Sequence, residues 1–136
     1  MVRALFVGRF QPLHRGHEEV IKWILSRHDE LVIAIGSANE SFTPRNPFTV
    51  GERIEMLVSM LRELNLIEKV MYCAVPDTRG GDSALWHAYV REQCPSFDIA
   101  TQTMSLRSYV LSTAALKSLI RHSLIRRFIV VRGLGS

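Results

Sequence analysis

The sequence predicts an α/β fold on a parallel sheet, because short apolar runs alternate along the chain with longer stretches of helical periodicity. The first run, Ala4–Val7, is apolar throughout and ends at Gly8, which suits a parallel strand buried between helices on both faces of the sheet. A loop, Arg9–His14, follows, and residues 18–27 then carry Val20, Ile21, Ile24 and Leu25 on one helical face. Leu31–Ile35 reads as the second strand, closed by Gly36 and a polar loop, Ser37–Phe48, with two prolines. Thr49 followed three residues on by Glu52 is the pattern of a capping box, so a helix is expected over Val50–Leu64 with Ile54, Leu57, Val58 and Leu61 inward. Lys69–Val75 reads as a third strand, Ser83–Gln93 as a helix, and Phe97–Ala100 as the start of a fourth strand.

A chain of 136 residues, 47% hydrophobic and 22% charged, is sized for one domain around a single core. No apolar run approaches a membrane span, and Arg3 and Arg9 interrupt what would otherwise resemble a leader, so a cytoplasmic protein with no membrane partner is expected. Cys73 and Cys94 match no metal or redox spacing and are expected as separate, buried, reduced thiols. Charge is unevenly placed: all 13 acidic residues fall within 1–98, whereas residues 99–136 hold six basic residues and no acid. Only Tyr109 and Phe128 are interleaved with the tail's arginines, so nucleic-acid binding is not expected of it.

In parallel sheets ligands bind beyond the carboxyl ends of strands, which directs attention to the three loops after the first three strands. The first, Gly8–His17, reads GRFQPLHRGH. It is neither a Walker loop nor a dinucleotide fingerprint. It places His14 and His17 three apart at a helix start, where backbone N–H groups and the helix dipole favour anions. Arg9 adds a planar fork for phosphate, and Gly8 is expected to remove bulk beneath a bound nucleotide.

This string resembles the H-x-G-H signature of the nucleotidyltransferase superfamily, in the form carried by archaeal nicotinamide-mononucleotide (NMN) adenylyltransferases. The stretch IGSANESFTPRNPFTVGER, residues 35–53, resembles a second signature of the same family, with Phe42 where the family often has His. The resemblance implies a Rossmann-like nucleotidyltransferase fold, and transfer of the adenylyl group of ATP to NMN with release of pyrophosphate, Mg²⁺ accompanying ATP. It implies that His14, His17 and Arg45 are catalytic, and that Gly8, Arg9, Phe10 and Gln11 join them in binding ATP. Ser37, Asn39 and Trp86 would bind NMN, Trp86 by stacking on the pyridinium, an attraction of roughly 0.5–2 kcal/mol. Arg53 and Glu52 are expected to cap and brace their helix. No carboxylate cluster suggests a metal held by the protein itself. The resemblance also allows a homo-oligomer. Other H-x-G-H cytidylyl- or adenylyltransferases, or an ATP-binding remnant without turnover, are the alternatives.

The resemblance runs to about Ile99, which divides the chain into a nucleotidyltransferase core, residues 1–100, and an atypical basic tail, residues 101–136. The fold is therefore expected to be incomplete at its C-terminus. Such proteins continue with Y-[TS]-[NG]-N and Y-S-G-T-E-I-R strings. Read from the third base of each codon, Ala100–Ser105 is compatible with Tyr-Thr-Asn-Asn-Glu, and Phe128–Gly135 with Tyr-Ser-Gly-Thr-Gly-Ile-Arg. A frame change near Ile99 is thus expected in the coding sequence. The alternative is a divergent tail with a helix over Ser105–Arg121 and a strand over Phe128–Val131. Resequencing the gene decides: a frame change is the expected result, and one intact frame through codon 136 removes that explanation.

Overall fold

A computed structural model describes residues 1–76, 83–103 and 127–131. The elements are β1 (Arg3–Gly8), α1 (Arg15–Arg27), β2 (Glu30–Ile35), α2 (Val50–Glu63), β3 (Val70–Ala74), α3 (Ser83–Gln93), β4 (Ile99–Thr103) and β5 (Arg127–Val131). The strands form one parallel sheet in the order β3-β2-β1-β4-β5. The chain winds outward from β1 to β3, then crosses back to lay β4 on the other side of β1. The switch point therefore lies between β1 and β4, and the loop after β1 opens beside it.

Alternation along the central strands feeds two cores. Ala4 and Phe6 of β1 and Leu31, Ile33 and Ile35 of β2 pack with Val20, Ile21 and Ile24 of α1 and Leu57 and Leu61 of α2. Leu5, Val7, Val32 and Ala34 face the other way, against Val90 of α3 and Phe97. Helices thus cover both faces of the sheet, which is why β1 and β2 are apolar throughout Ala4–Val7 and Leu31–Ile35 rather than at every second position.

The caps follow the sequence closely at α2. Thr49 Oγ1 accepts from the Glu52 N–H at 3.1 Å, and the Glu52 carboxylate accepts from the Thr49 N–H at 3.0 Å. At the other end Asn65 takes a left-handed φ of 58°. The Leu66 N–H then reaches the Leu61 carbonyl and the Asn65 N–H that of Arg62, closing a Schellman turn. Helix α1 begins at Arg15, three residues before its apolar periodicity becomes visible, because His14 caps it. At the amino ends of the strands Arg3 ties the layers together, pairing with Glu30 at 3.1 Å and donating to the Ser96 carbonyl at 2.8 Å.

The cysteines depart from expectation. Cys73 and Cys94 form a disulfide, with Cα atoms 5.3 Å apart. The crossover after β3 brings the end of α3 back over that strand, a contact that a separation of 21 residues does not announce.

The sheet continues past Ala100. Thr101 is buried and its hydroxyl donates to the Leu5 carbonyl at 2.7 Å, and β4 pairs in parallel with β5 over five positions. The strand of the divergent-tail alternative is thus present as β5, whereas its helix, Ser105–Arg121, lies outside the described residues. No helix among the described residues is long and apolar enough to cross a membrane.

Thr49→Ala removes one arm of the α2 capping box, and urea denaturation is expected to show a loss of about 1 kcal/mol.

Candidate functional site

The β1–α1 junction holds a cleft of about 120 Å³ lined by Arg9, Phe10, Gln11, Pro12, His14, His17 and Arg45. Six of these come from the first signature loop, and Arg45 arrives from the loop after β2. The cleft sits beyond the carboxyl end of the central strand, where the topology places ligand sites.

Its floor is built by two histidines that cap the helix with each other. The Gly16 N–H donates to His14 Nδ1 at 3.0 Å, and the His14 N–H donates to His17 Nδ1 at 3.1 Å. The rings stack with centroids 3.7 Å apart and planes 24° from parallel. Each Nδ1 is an acceptor, so in the neutral ring the proton must sit on Nε2. Burial, and then the charge of His14 alongside, push His17 down from its ordinary 6.5 to about 3. At neutral pH His17 is therefore an uncharged donor rather than a cation.

The helix amides are less available than the sequence suggested. The Gly16 N–H is engaged by His14 Nδ1, and the N–H groups of His17 and Glu18 point to the His14 carbonyl at 3.0 and 3.3 Å.

Gly8 also has a different reason from the one expected. A Cβ there would lie 2.9 Å from the tip of the Phe10 ring, so the space is filled by protein. Phe10 itself is core: it is buried, packs edge-on to Phe6 at 6.0 Å, and lies 4.5 Å from the His17 ring. It supports the histidines from below while bordering the cleft.

Gln11 likewise does more than line the cleft. Its amide donates to the Phe48 carbonyl at 2.9 Å and accepts from the Phe48 N–H at 2.8 Å, clamping the two signature loops. Arg45 is exposed at the rim, on a turn closed by the Asn46 N–H to Thr43 Oγ1 at 2.9 Å. The sequence reading missed both Pro12, which lines the cleft, and Asn46, which is buried and anchors that turn.

Arg53 is fully buried beneath these loops. Its Nε donates to the Thr49 carbonyl at 3.2 Å. One terminal nitrogen reaches the carbonyls of Arg9 at 3.0 Å and Gly36 at 2.8 Å, the other those of Ser37 at 3.1 Å and Glu40 at 3.3 Å. Five N–H donors meet five backbone oxygens. The expectation of a bracing role holds, and the brace reaches well beyond its own helix.

Ser37 and Asn39 lie on the loop after β2 and do not line the cleft. Ser37 is buried with φ 51°, and Asn39 is exposed. The side chain of Trp86 lies outside the described residues, although its backbone belongs to α3. The cleft lining contains no carboxylate, and the described residues contain no group of three or more His, Cys, Asp or Glu that could hold a metal.

The chain has relatives among known proteins. The cytidylyltransferase-like family matches the chain over residues 5–118. The nicotinamide-nucleotide adenylyltransferase of Halobacterium salinarum is 43% identical over 117 residues, covering 86% of this chain and 64% of that protein. The enzyme of the same name from Pyrococcus furiosus is 43% identical over 106 residues, covering 78% and 56%. The chain therefore spans about six-tenths of the length of these curated relatives. Among solved structures, a bifunctional NMN adenylyltransferase/ADP ribose pyrophosphatase from Francisella tularensis, complexed with AMP and a manganese ion, aligns with a TM-score of 0.72. It is 22% identical and covers 96% of this chain and 36% of its own, a likeness of fold.

The His17 shift sets a dependence on pH. A ring held below its unfolded value excludes a proton that the unfolded chain accepts. Its contribution is level above 6.5, and stability falls as the pH drops from there toward 3. The slope from this ring approaches about 1.4 kcal/mol per pH unit. Urea denaturation at about pH 7 and about pH 5 should show the loss, and His17→Asn should remove that part of it.

Proposed function

The chain belongs to the cytidylyltransferase-like family, and on that premise we propose that it transfers the adenylyl group of ATP to nicotinamide mononucleotide, giving NAD and pyrophosphate. The observation that carries this is the stacked, reciprocally capped imidazole pair in a cleft rimmed by arginines. Imidazole Nε2–H donors suit phosphate oxygens, and Arg9 and Arg45 supply the positive charge that a triphosphate requires. The names of the curated relatives favour NMN as the acceptor among the acceptors that H-x-G-H enzymes use.

In this reading an oxygen of the NMN 5′-phosphate attacks the α-phosphorus of ATP. The new P–O bond forms as the bond to the β-phosphate oxygen breaks, and the electron pair leaves with pyrophosphate. The nucleophile is already ionised, so no general base is needed, and the protein's work is positioning and charge stabilisation. His14 and His17 donate to the phosphate oxygens, Arg9 neutralises the chain of phosphates, and Arg45 closes over the reacting group from the second loop. Ser37, Asn39 and Trp86 are assigned to the NMN side on the strength of the family resemblance.

A divalent cation belongs to the reading, with Mg²⁺ as the ion expected to accompany ATP. The residues lining the cleft do not fit a Mg²⁺ ion held by protein ligands, since none offers a carboxylate oxygen. The cation would travel on the phosphates, as Mg²⁺ does where it keeps its waters, and no step above depends on it. A cytoplasmic enzyme, with the homo-oligomer that the resemblance allows, completes the proposal for residues 1–136.

The test is incubation with ATP and NMN, following pyrophosphate and NAD. His17→Ala is expected to lower turnover by roughly two to three decades, the scale of losing one oxyanion donor. Unchanged turnover rejects the assignment. ATP binding by calorimetry without pyrophosphate release identifies a nucleotide-binding remnant, and activity with CTP in place of ATP redirects the reading to cytidylyl transfer.

A further inference from the structure

We propose that Arg53 is a positioning residue for the polyphosphate cleft, and that it acts by fixing the orientation of peptide groups in the two loops that border it. The inference rests on the adenylyl-transfer reading for what the cleft holds, and on geometry for the rest. Four of the five carbonyls that Arg53 gathers belong to those loops: Arg9 after β1, and Gly36, Ser37 and Glu40 after β2. The guanidinium is the common centre on which the two loops converge. A second link, the Gly36 N–H to the Gly8 carbonyl at 2.8 Å, runs beside it.

A planar trans peptide places its C=O and the following N–H on opposite sides. Drawing the Arg9 carbonyl onto Arg53 therefore turns the Phe10 N–H away from the guanidinium, and the same holds for Ser37, Ala38 and Ser41. The consequence is visible at Ala38, whose N–H reaches the Val75 carbonyl at 3.2 Å and fastens the second loop to the end of β3. Phe10 and Ser37, at φ 53° and 51°, sit in the left-handed region that side chains rarely adopt, and both flank peptides held by Arg53. A backbone held there needs surroundings that over-determine it.

The effect reaches the chemistry through Phe10. Its ring fills the space over Gly8 and packs 4.5 Å from His17, which stacks on His14. Rotation of the Arg9–Phe10 peptide would move that ring and, with it, the support of both histidines. Lysine cannot replace the function, because three donors on a point charge cannot span carbonyls that a planar fork collects from two directions.

The experiment uses the full 136-residue chain, Arg53→Lys and Arg53→Ala. Thermal melts, steady-state kinetics with ATP and NMN, and backbone amide exchange are measured on each. Both variants are expected to melt cooperatively. Turnover should fall about a hundredfold in Arg53→Lys, the scale of a misplacement of about 1 Å, with a smaller rise in KM for ATP. Free guanidinium should restore turnover in Arg53→Ala, and methylammonium should not. Exchange should quicken at residues 9–11 and 36–41 while the amides of β2 stay protected. Wild-type turnover in Arg53→Lys overturns the proposal, as does exchange that quickens uniformly or failure of both variants to fold. If the unaltered chain neither binds ATP nor releases pyrophosphate, the adenylyl-transfer reading fails by itself. The exchange comparison then decides for or against Arg53 as the organiser of the two loops.

Discussion

Two imidazoles that cap one helix with each other are the interaction on which the site depends. His14 takes the Gly16 N–H, and His17 takes the N–H of His14. This exchange starts α1 at Arg15, commits the first helical amides, and leaves Nε2 as the hydrogen-bearing nitrogen of each neutral ring. A serine or aspartate could begin a helix as well. Neither would carry a second nitrogen into the lining of the cleft on a rigid aromatic frame. The cap thus turns a structural obligation of the backbone into a pair of oriented donors.

That arrangement divides labour by residue type. His17 gives direction without charge at neutral pH, since burial keeps it unprotonated. Charge comes from Arg9 and Arg45, which border the same cleft from two loops. Keeping the two contributions on different side chains lets His17 lie in the apolar layer with Phe6 and Phe10, where a permanent cation would be costly. The buried charge that the fold does accept, Arg53, is surrounded by oriented backbone oxygens.

The fold was legible because its signals are local. Continuous apolar runs marked β1 and β2, and Thr49 with Glu52 marked the start of α2. The candidate cleft was legible for the same reason: His14, His17 and Arg45 do meet at one cleft, with Arg9, Phe10 and Gln11. What stayed hidden depends on contacts between segments distant in sequence. Nothing in the spacing of Cys73 and Cys94 reveals that a crossover helix returns one to the other. Gln11 looked like a ligand contact, and its amide is engaged by Phe48, 37 residues away. Gly8 looked like room for a nucleotide, and the occupant is a ring two residues along. The start of α1 was placed late because a histidine cap carries no apolar periodicity and lacks the usual Ser, Thr, Asp or Asn.

The contact between Gly8 and Phe10 has a consequence for how this sequence can change. Because the ring of one occupies the volume that a side chain on the other would need, the two positions behave as a single steric unit. Drift at position 8 toward any larger residue is blocked while the phenyl remains, and shrinking the phenyl opens a hollow under His17 that nothing else nearby fills by design. Substitutions here can be accommodated only in concert. A glycine with the look of a flexible hinge is instead half of a lock-step pair, and its immobility is written two residues downstream.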